Sequence, residues 1–113
     1  MTAPVGTFLA PVRSGVVQLP PVLANYCLAM DWTLFRVIPL NENRLELEPI
    51  LPSDIEDMPD GYQSSLSPDG KLWIPAETRE MVSLGDQSVM VRAENGGLQV
   101  YLRQVFKTLG FGP

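Results

Sequence analysis

Histidine is absent, and no other gap in the sequence removes more chemistry. It is the commonest general base and metal ligand, so a Ser–His or Cys–His nucleophile cannot be assembled within the chain. Cysteine is nearly absent too. Cys27 stands alone, which rules out an intrachain disulfide and gives an oxidising compartment no support. Its apolar neighbours in "NYCLAM" suit a buried structural thiol. No hydrophobic run approaches the length of a membrane span. The opening "MTAPVGTFLAPV" lacks the basic and apolar regions of a signal peptide, so a cytoplasmic address without a membrane partner is expected. Positive charge is scarce, with 8 Lys and Arg against 13 Asp and Glu and a net charge of −5. Phosphate contacts supply most non-specific affinity for nucleic acid, so this balance counts against such a role unless cations cluster locally. The basic residues Arg13, Arg36, Arg44, Lys71, Arg79, Arg92, Arg103 and Lys107 are scattered, with no basic tail. A phosphate loop is missing as well, since "ENGGLQV" lacks the GxxxxGK[ST] spacing. Glu77 and Glu80 stand where acids favour a helix N-terminus, which accounts for them without catalysis. No catalytic residue, metal site or cofactor is expected, and the chain does not read as an enzyme.

What the chain does have is punctuation. Eleven prolines and nine glycines in 113 residues predict short elements separated by sharp turns. A hydrophobic fraction of 45% fits one compact domain, or two very small halves sharing a core. Residues 8–13, "FLAPVR", and 15–19, "GVVQL", read as strands broken by Ser14-Gly15. Pro20 and Pro21 end the second strand and open a helix, because the first helical turn does not use the N–H that proline lacks. Val22, Leu23, Tyr26, Cys27 and Met30 then form one apolar stripe, and Asp31 closes the helix. "WTLFRVIPL" and "NRLELEPI" follow as strands with turn chemistry in "NEN". Residues 51–61 are rich in proline and acid, carrying Asp54, Glu56, Asp57 and Asp60. They lack the ligand order and glycine of a calcium loop and read as a solvated linker.

The order of elements then recurs. "YQSSLS" is a strand, Pro68-Asp69-Gly70 a tight turn, and "KLWI" a strand ended by Pro75. "AETREMVSL" is a helix with Thr78, Met81, Val82 and Gly85 along one side, and Gly85 suits the left-handed position after its end. "QSVMVRA" and "LQVYLRQV" are strands around the hairpin signal "ENGG", and residues 106–113 form a tail. Fifty-five positions separate Gly15 from Gly70, Pro20 from Pro75 and Asp31 from Asp86. The same offset sets Leu19 against Ile74 and Leu45 against Val100. Two units, 8–50 and 62–105, follow from this order. Trp73 lies between Leu72 and Ile74 in a strand; if those two face the core, it faces outward and offers a contact for a protein partner. Its mate at the same offset is Gln18. Tyr26 and Trp32 are expected in the core.

The stretch "SPDGKLWIPAETRE" resembles the motif of the AbrB, MazE and MraZ swapped-hairpin proteins. That motif runs acidic residue, x, Gly, Arg or Lys, two or three residues including an aliphatic, Pro, then a short helix with an early Arg. Here those positions are Asp69, Gly70, Lys71, Ile74, Pro75 and Arg79. The tandem arrangement is most similar to MraZ, and the resemblance covers most of residues 8–105. It implies a mainly β fold with short helices (α+β), in which two swapped-hairpin units form a small β-barrel within one chain. A unit of that size cannot alone offset its ordering entropy, about 1–2 kcal/mol of backbone per residue, whereas two sharing a core can. The resemblance further implies a prokaryotic DNA-binding transcription regulator and a homo-oligomer, with Lys71 and Arg79 meeting DNA. In the first half the matching positions hold Val16 and Ala24, leaving Arg13 as the cation beside the turn. The alternative is the same fold without DNA binding, serving as an oligomeric scaffold or protein-binding adaptor.

Overall fold

Alternation builds the strands. In "RLELE" the leucines Leu45 and Leu47 are fully buried, while the alternate residues Arg44, Glu46 and Glu48 remain accessible on the other face. The computed structural model describes residues 2–51, 62–82, 84–94 and 96–102. Within them lie β1 (Phe8–Arg13), β2 (Val16–Gln18), α1 (Pro21–Ala29), β3 (Leu34–Asn41) and β4 (Arg44–Pro49). The same order returns as β5 (Tyr62–Ser65), β6 (Lys71–Trp73), α2 (Ala76–Met81), β7 (Gln87–Glu94) and β8 (Gly97–Leu102).

The strands form one antiparallel sheet in the order β5-β3-β4-β8-β7-β1-β2-β6. A bridge between Leu66 and Leu72 draws the two ends of that order together, so the sheet is nearly closed and barrel-like. The β1–β2 hairpin is flanked by β7 on one side and β6 on the other. Two ladders join equivalent positions of the sequence: Val17 pairs with Leu72, and Leu45 with Val100, each pair fifty-five positions apart. All four side chains are fully buried, in a single core with Phe35, Leu47, Leu98 and Val89. Packing the apolar faces of the strands into that core is the main stabilising contribution, with β5 adding only half-buried Tyr62 beside buried Ser64.

Both helices start as expected, behind Pro20 and Pro75, but their buried faces differ from the expected stripes. In α1 the buried arc is Leu23, Ala24, Tyr26 and Cys27, while Val22 and Met30 are 48% and 39% exposed. Leu23 and Cys27 lie one turn apart and centre the arc, which leaves Val22 and Met30 on its margins. Asp31 ends the helix in a left-handed conformation (φ 60°), and the Trp32 N–H returns to the Cys27 carbonyl at 2.8 Å. The second helix is shorter than expected and stops at Met81, which is 52% exposed. Gly85 is exposed and does not adopt positive φ. Instead the Leu84 N–H reaches back to the Arg79 carbonyl at 2.8 Å, and buried Thr78, Val82 and Leu84 anchor this end of the chain. Edge-on contacts link Tyr26 to Trp32 and Trp32 to Phe35, which puts both expected core aromatics in the core. The acidic linker residues Asp54, Glu56, Asp57 and Asp60, and the tail 106–113, lie outside the described residues.

Candidate functional site

The pleat of β1, β2 and β6 sorts their side chains onto two faces. Ala10, Val12, Val17 and Leu72 point inward and are buried. The neighbours in between point outward. Across that outer face Arg13 stands opposite Val16, and Val16 opposite Trp73; in the adjoining row Gln18 stands opposite Lys71. Three of the four expected contact residues, Arg13, Lys71 and Trp73, therefore share one face. They line an open groove of about 370 Å³ together with Pro11, Val16 and Gln18. Trp73 is 45% exposed, as its place between two core residues requires.

Lys71 is not a bare charge. Its Nζ lies 3.6 Å from the Asp69 carboxylate, and both side chains remain largely open to solvent. A hydrogen bond from the Ser67 hydroxyl, with further help from Lys71, holds the Asp69 carboxyl below the usual aspartate range. The same Ser67 hydroxyl accepts the Lys71 backbone N–H at 3.0 Å, so the turn before β6 is tied to its own cation.

The fourth residue, Arg79, projects from α2 to the tip of the β1–β2 hairpin. Ser14 (φ 51°) and Gly15 (φ 78°) both adopt positive φ, as a two-residue hairpin loop of the primed type demands. The Arg79 guanidinium packs on this loop so closely that a methyl group on Gly15 would sit 2.6 Å from Cζ. Arg79 Nε is buried with no hydrogen-bond partner. Two backbone groups of the loop are also held by the second half of the chain. The Ser14 N–H donates to the Asp86 carboxylate at 2.9 Å, and the Gly15 carbonyl accepts the Ile74 N–H at 2.9 Å. Sequence reasoning used Asp86 only as a repeat marker; its partner lies 72 positions away, which no local pattern encodes.

The equivalent turn in the second half is built differently. Gly70 (φ 85°) faces Ala24, where the first turn has Arg79, and its carbonyl accepts the Leu19 N–H at 2.9 Å. Gln18 closes the other side by donating to the Asp69 carbonyl at 2.9 Å.

Cys27 is fully buried, and burial pushes its thiol up to about 12, so it carries no thiolate at neutral pH. Among the described residues no group of three or more Cys, Asp or Glu side chains is placed to hold a metal ion, and no helix is long and apolar enough to cross a membrane. No protein-family model and no curated protein matches the chain.

Proposed function

We propose that the chain is a prokaryotic DNA-binding transcription regulator of the AbrB/MraZ type, built from two swapped-hairpin units. For the architecture, the support is the strand order. The β1–β2 hairpin of the first half lies between β7 and β6 of the second. Among the described residues four ladders join the halves, and two of them each contain one pair at the repeat offset, Val17 with Leu72 and Leu45 with Val100. One observation carries the function: Arg13 and Lys71 share a single open sheet face with Trp73, which lies in the same cross-strand row as Arg13 and two residues along β6 from Lys71. Arg13 presents a planar fork for a phosphate or a guanine edge, Lys71 a point charge for phosphate, and Trp73 an apolar contact for sugar or base. Two cations on a chain of net charge −5 give little affinity, so binding requires several copies to align this face. The test is titration of labelled duplex DNA at low and rising salt. Binding that falls steeply with salt, and is abolished by Arg13→Glu with Lys71→Glu while the fold persists, supports the reading. No detectable binding at low salt overturns it.

A second reading, an oligomeric protein-binding scaffold, draws on two features of the same face. Lys71 is already paired with Asp69, and Trp73 and Leu9 are 45% and 60% exposed. Light scattering of wild type and Trp73→Ala examines it: an oligomer that the substitution dissociates favours the scaffold, and an unchanged mass counts against Trp73 as the contact.

A further inference from the structure

We infer that Arg79 is a positioning residue, whose guanidinium clamps the Ser14-Gly15 loop and thereby fixes how Arg13 is presented on the outer face. The inference rests on the DNA-binding reading for one of its two readouts and stands without it for the other. An arginine that meets a ligand needs its donor fork free. Here the half-buried guanidinium is packed over Gly15 with Nε buried and unpartnered, so that edge of the fork is closed to a ligand. Its contact surface exists only because residue 15 is glycine, since any side chain there would take the place of the guanidinium.

The loop connects directly to the proposed contact. Arg13 and Val16 are the paired residues that flank Ser14 and Gly15, so movement of the loop moves the first outward-facing cation. Three residues of the second half converge on this two-residue loop: Asp86 on the Ser14 N–H, Ile74 on the Gly15 carbonyl, and Arg79 across the glycine. Two of those contacts are hydrogen bonds to backbone and fix its height above the sheet. The third is a flat side chain packed on the loop, and it restrains the tip. In the equivalent turn Ala24 occupies that position, and the side chain over Gly70 is the Gln18 amide, which would lie 3.1 Å from a methyl group there. The guanidinium clamp is therefore found at one turn only, the one that lacks a cation after its glycine.

Two measurements test this. The first is a stability cycle of Gly15→Ala and Arg79→Ala, followed by urea unfolding. The clamp predicts that Gly15→Ala shifts the midpoint less in the Arg79→Ala background than in wild type, because the packing it disrupts is already gone. Strictly additive shifts overturn the clamp. The second is the salt dependence of binding to a mixed-sequence duplex oligonucleotide. A side chain on phosphate contributes about 0.9 to the slope of log affinity against log salt. A positioning role predicts that Arg79→Ala weakens binding several-fold with an unchanged slope, and that adding Arg79→Ala to Arg13→Gln costs nothing further. A slope reduced by about one unit in Arg79→Ala overturns the assignment and makes Arg79 a direct contact. Should wild type bind no DNA, the DNA-binding reading fails, and the stability cycle alone decides the clamp.

Discussion

The loops at Ser14-Gly15 and Pro68–Gly70 have the same backbone requirement and different supports. Each needs a glycine at positive φ, and each offers that glycine's carbonyl to a backbone N–H of the other half, Ile74 in one case and Leu19 in the other. Around the first loop stand Arg79 and Asp86. Around the second stand Ala24 and Gln18, with Ser67, Asp69 and Lys71 bonded among themselves. What the two loops share is thus the backbone geometry that ties each to the other half of the chain. The side-chain supports differ: Arg79 and Asp86 hold the first loop, while the second is held by Gln18 and Ala24 of the other half and by its own Ser67, Asp69 and Lys71.

The largest expected effects fall on the shared part. Leu72 and Val17 face each other across the β2–β6 ladder and are both fully buried. Leu72→Ala should cost about 2–5 kcal/mol, and Val17→Ala less because it removes fewer buried methyl groups; calorimetry or urea unfolding measures both. Equal, negligible losses would show that the two halves do not depend on this seam.

Next come the glycines. A non-glycine residue in the left-handed region costs about 1–2 kcal/mol at either loop. At Gly70 a methyl group would also meet the Ala24 methyl at 3.2 Å and the Leu19 carbonyl at 3.3 Å, neither of which can swing aside. At Gly15 it would meet the end of a flexible arginine. Gly70→Ala should therefore be the more destabilising, despite the shorter nominal contact at Gly15. The reverse order, read from urea midpoints, would mean that Arg79 is held more rigidly than its length suggests.

Much of this was legible in the sequence, and the limits are physical. Proline, glycine and turn residues act locally, so the strands and both helix starts among the described residues were readable from Pro20, Pro75, Gly15, Gly70, the turns "NEN" and "ENGG" and the alternation in "RLELE". The outward turn of Trp73 followed from the period of two. Helix ends were less legible, because α2 is stopped by tertiary anchoring of Val82 and Leu84 and not by Gly85. That Arg79 reaches across to Gly15, 64 positions away, depends on the pairing of distant strands. Local residue pattern carries no trace of such a contact, and the resemblance offered Arg79 only as a cation meeting DNA.

A smaller effect separates the loops by pH. The Asp69 carboxyl, held low by the Ser67 hydroxyl and then by Lys71, favours the folded loop at pH values above its unfolded range. That contribution is lost as pH falls through the lower folded value. Carboxyl-carbon NMR should show Asp69 titrating below an ordinary aspartate, with Ser67→Ala moving it up more than Lys71→Met does. An unmoved titration in Ser67→Ala would remove the hydroxyl as the main cause.

The central claim is that one outer face, carrying Arg13 and Lys71, meets nucleic acid. Its most direct test is the salt slope of duplex DNA binding for wild type, Arg13→Gln and Lys71→Gln. The account predicts measurable binding at low salt and a slope that falls by about 0.9 for each phosphate contact removed. Absence of binding at low salt, or slopes indifferent to both substitutions, would contradict it.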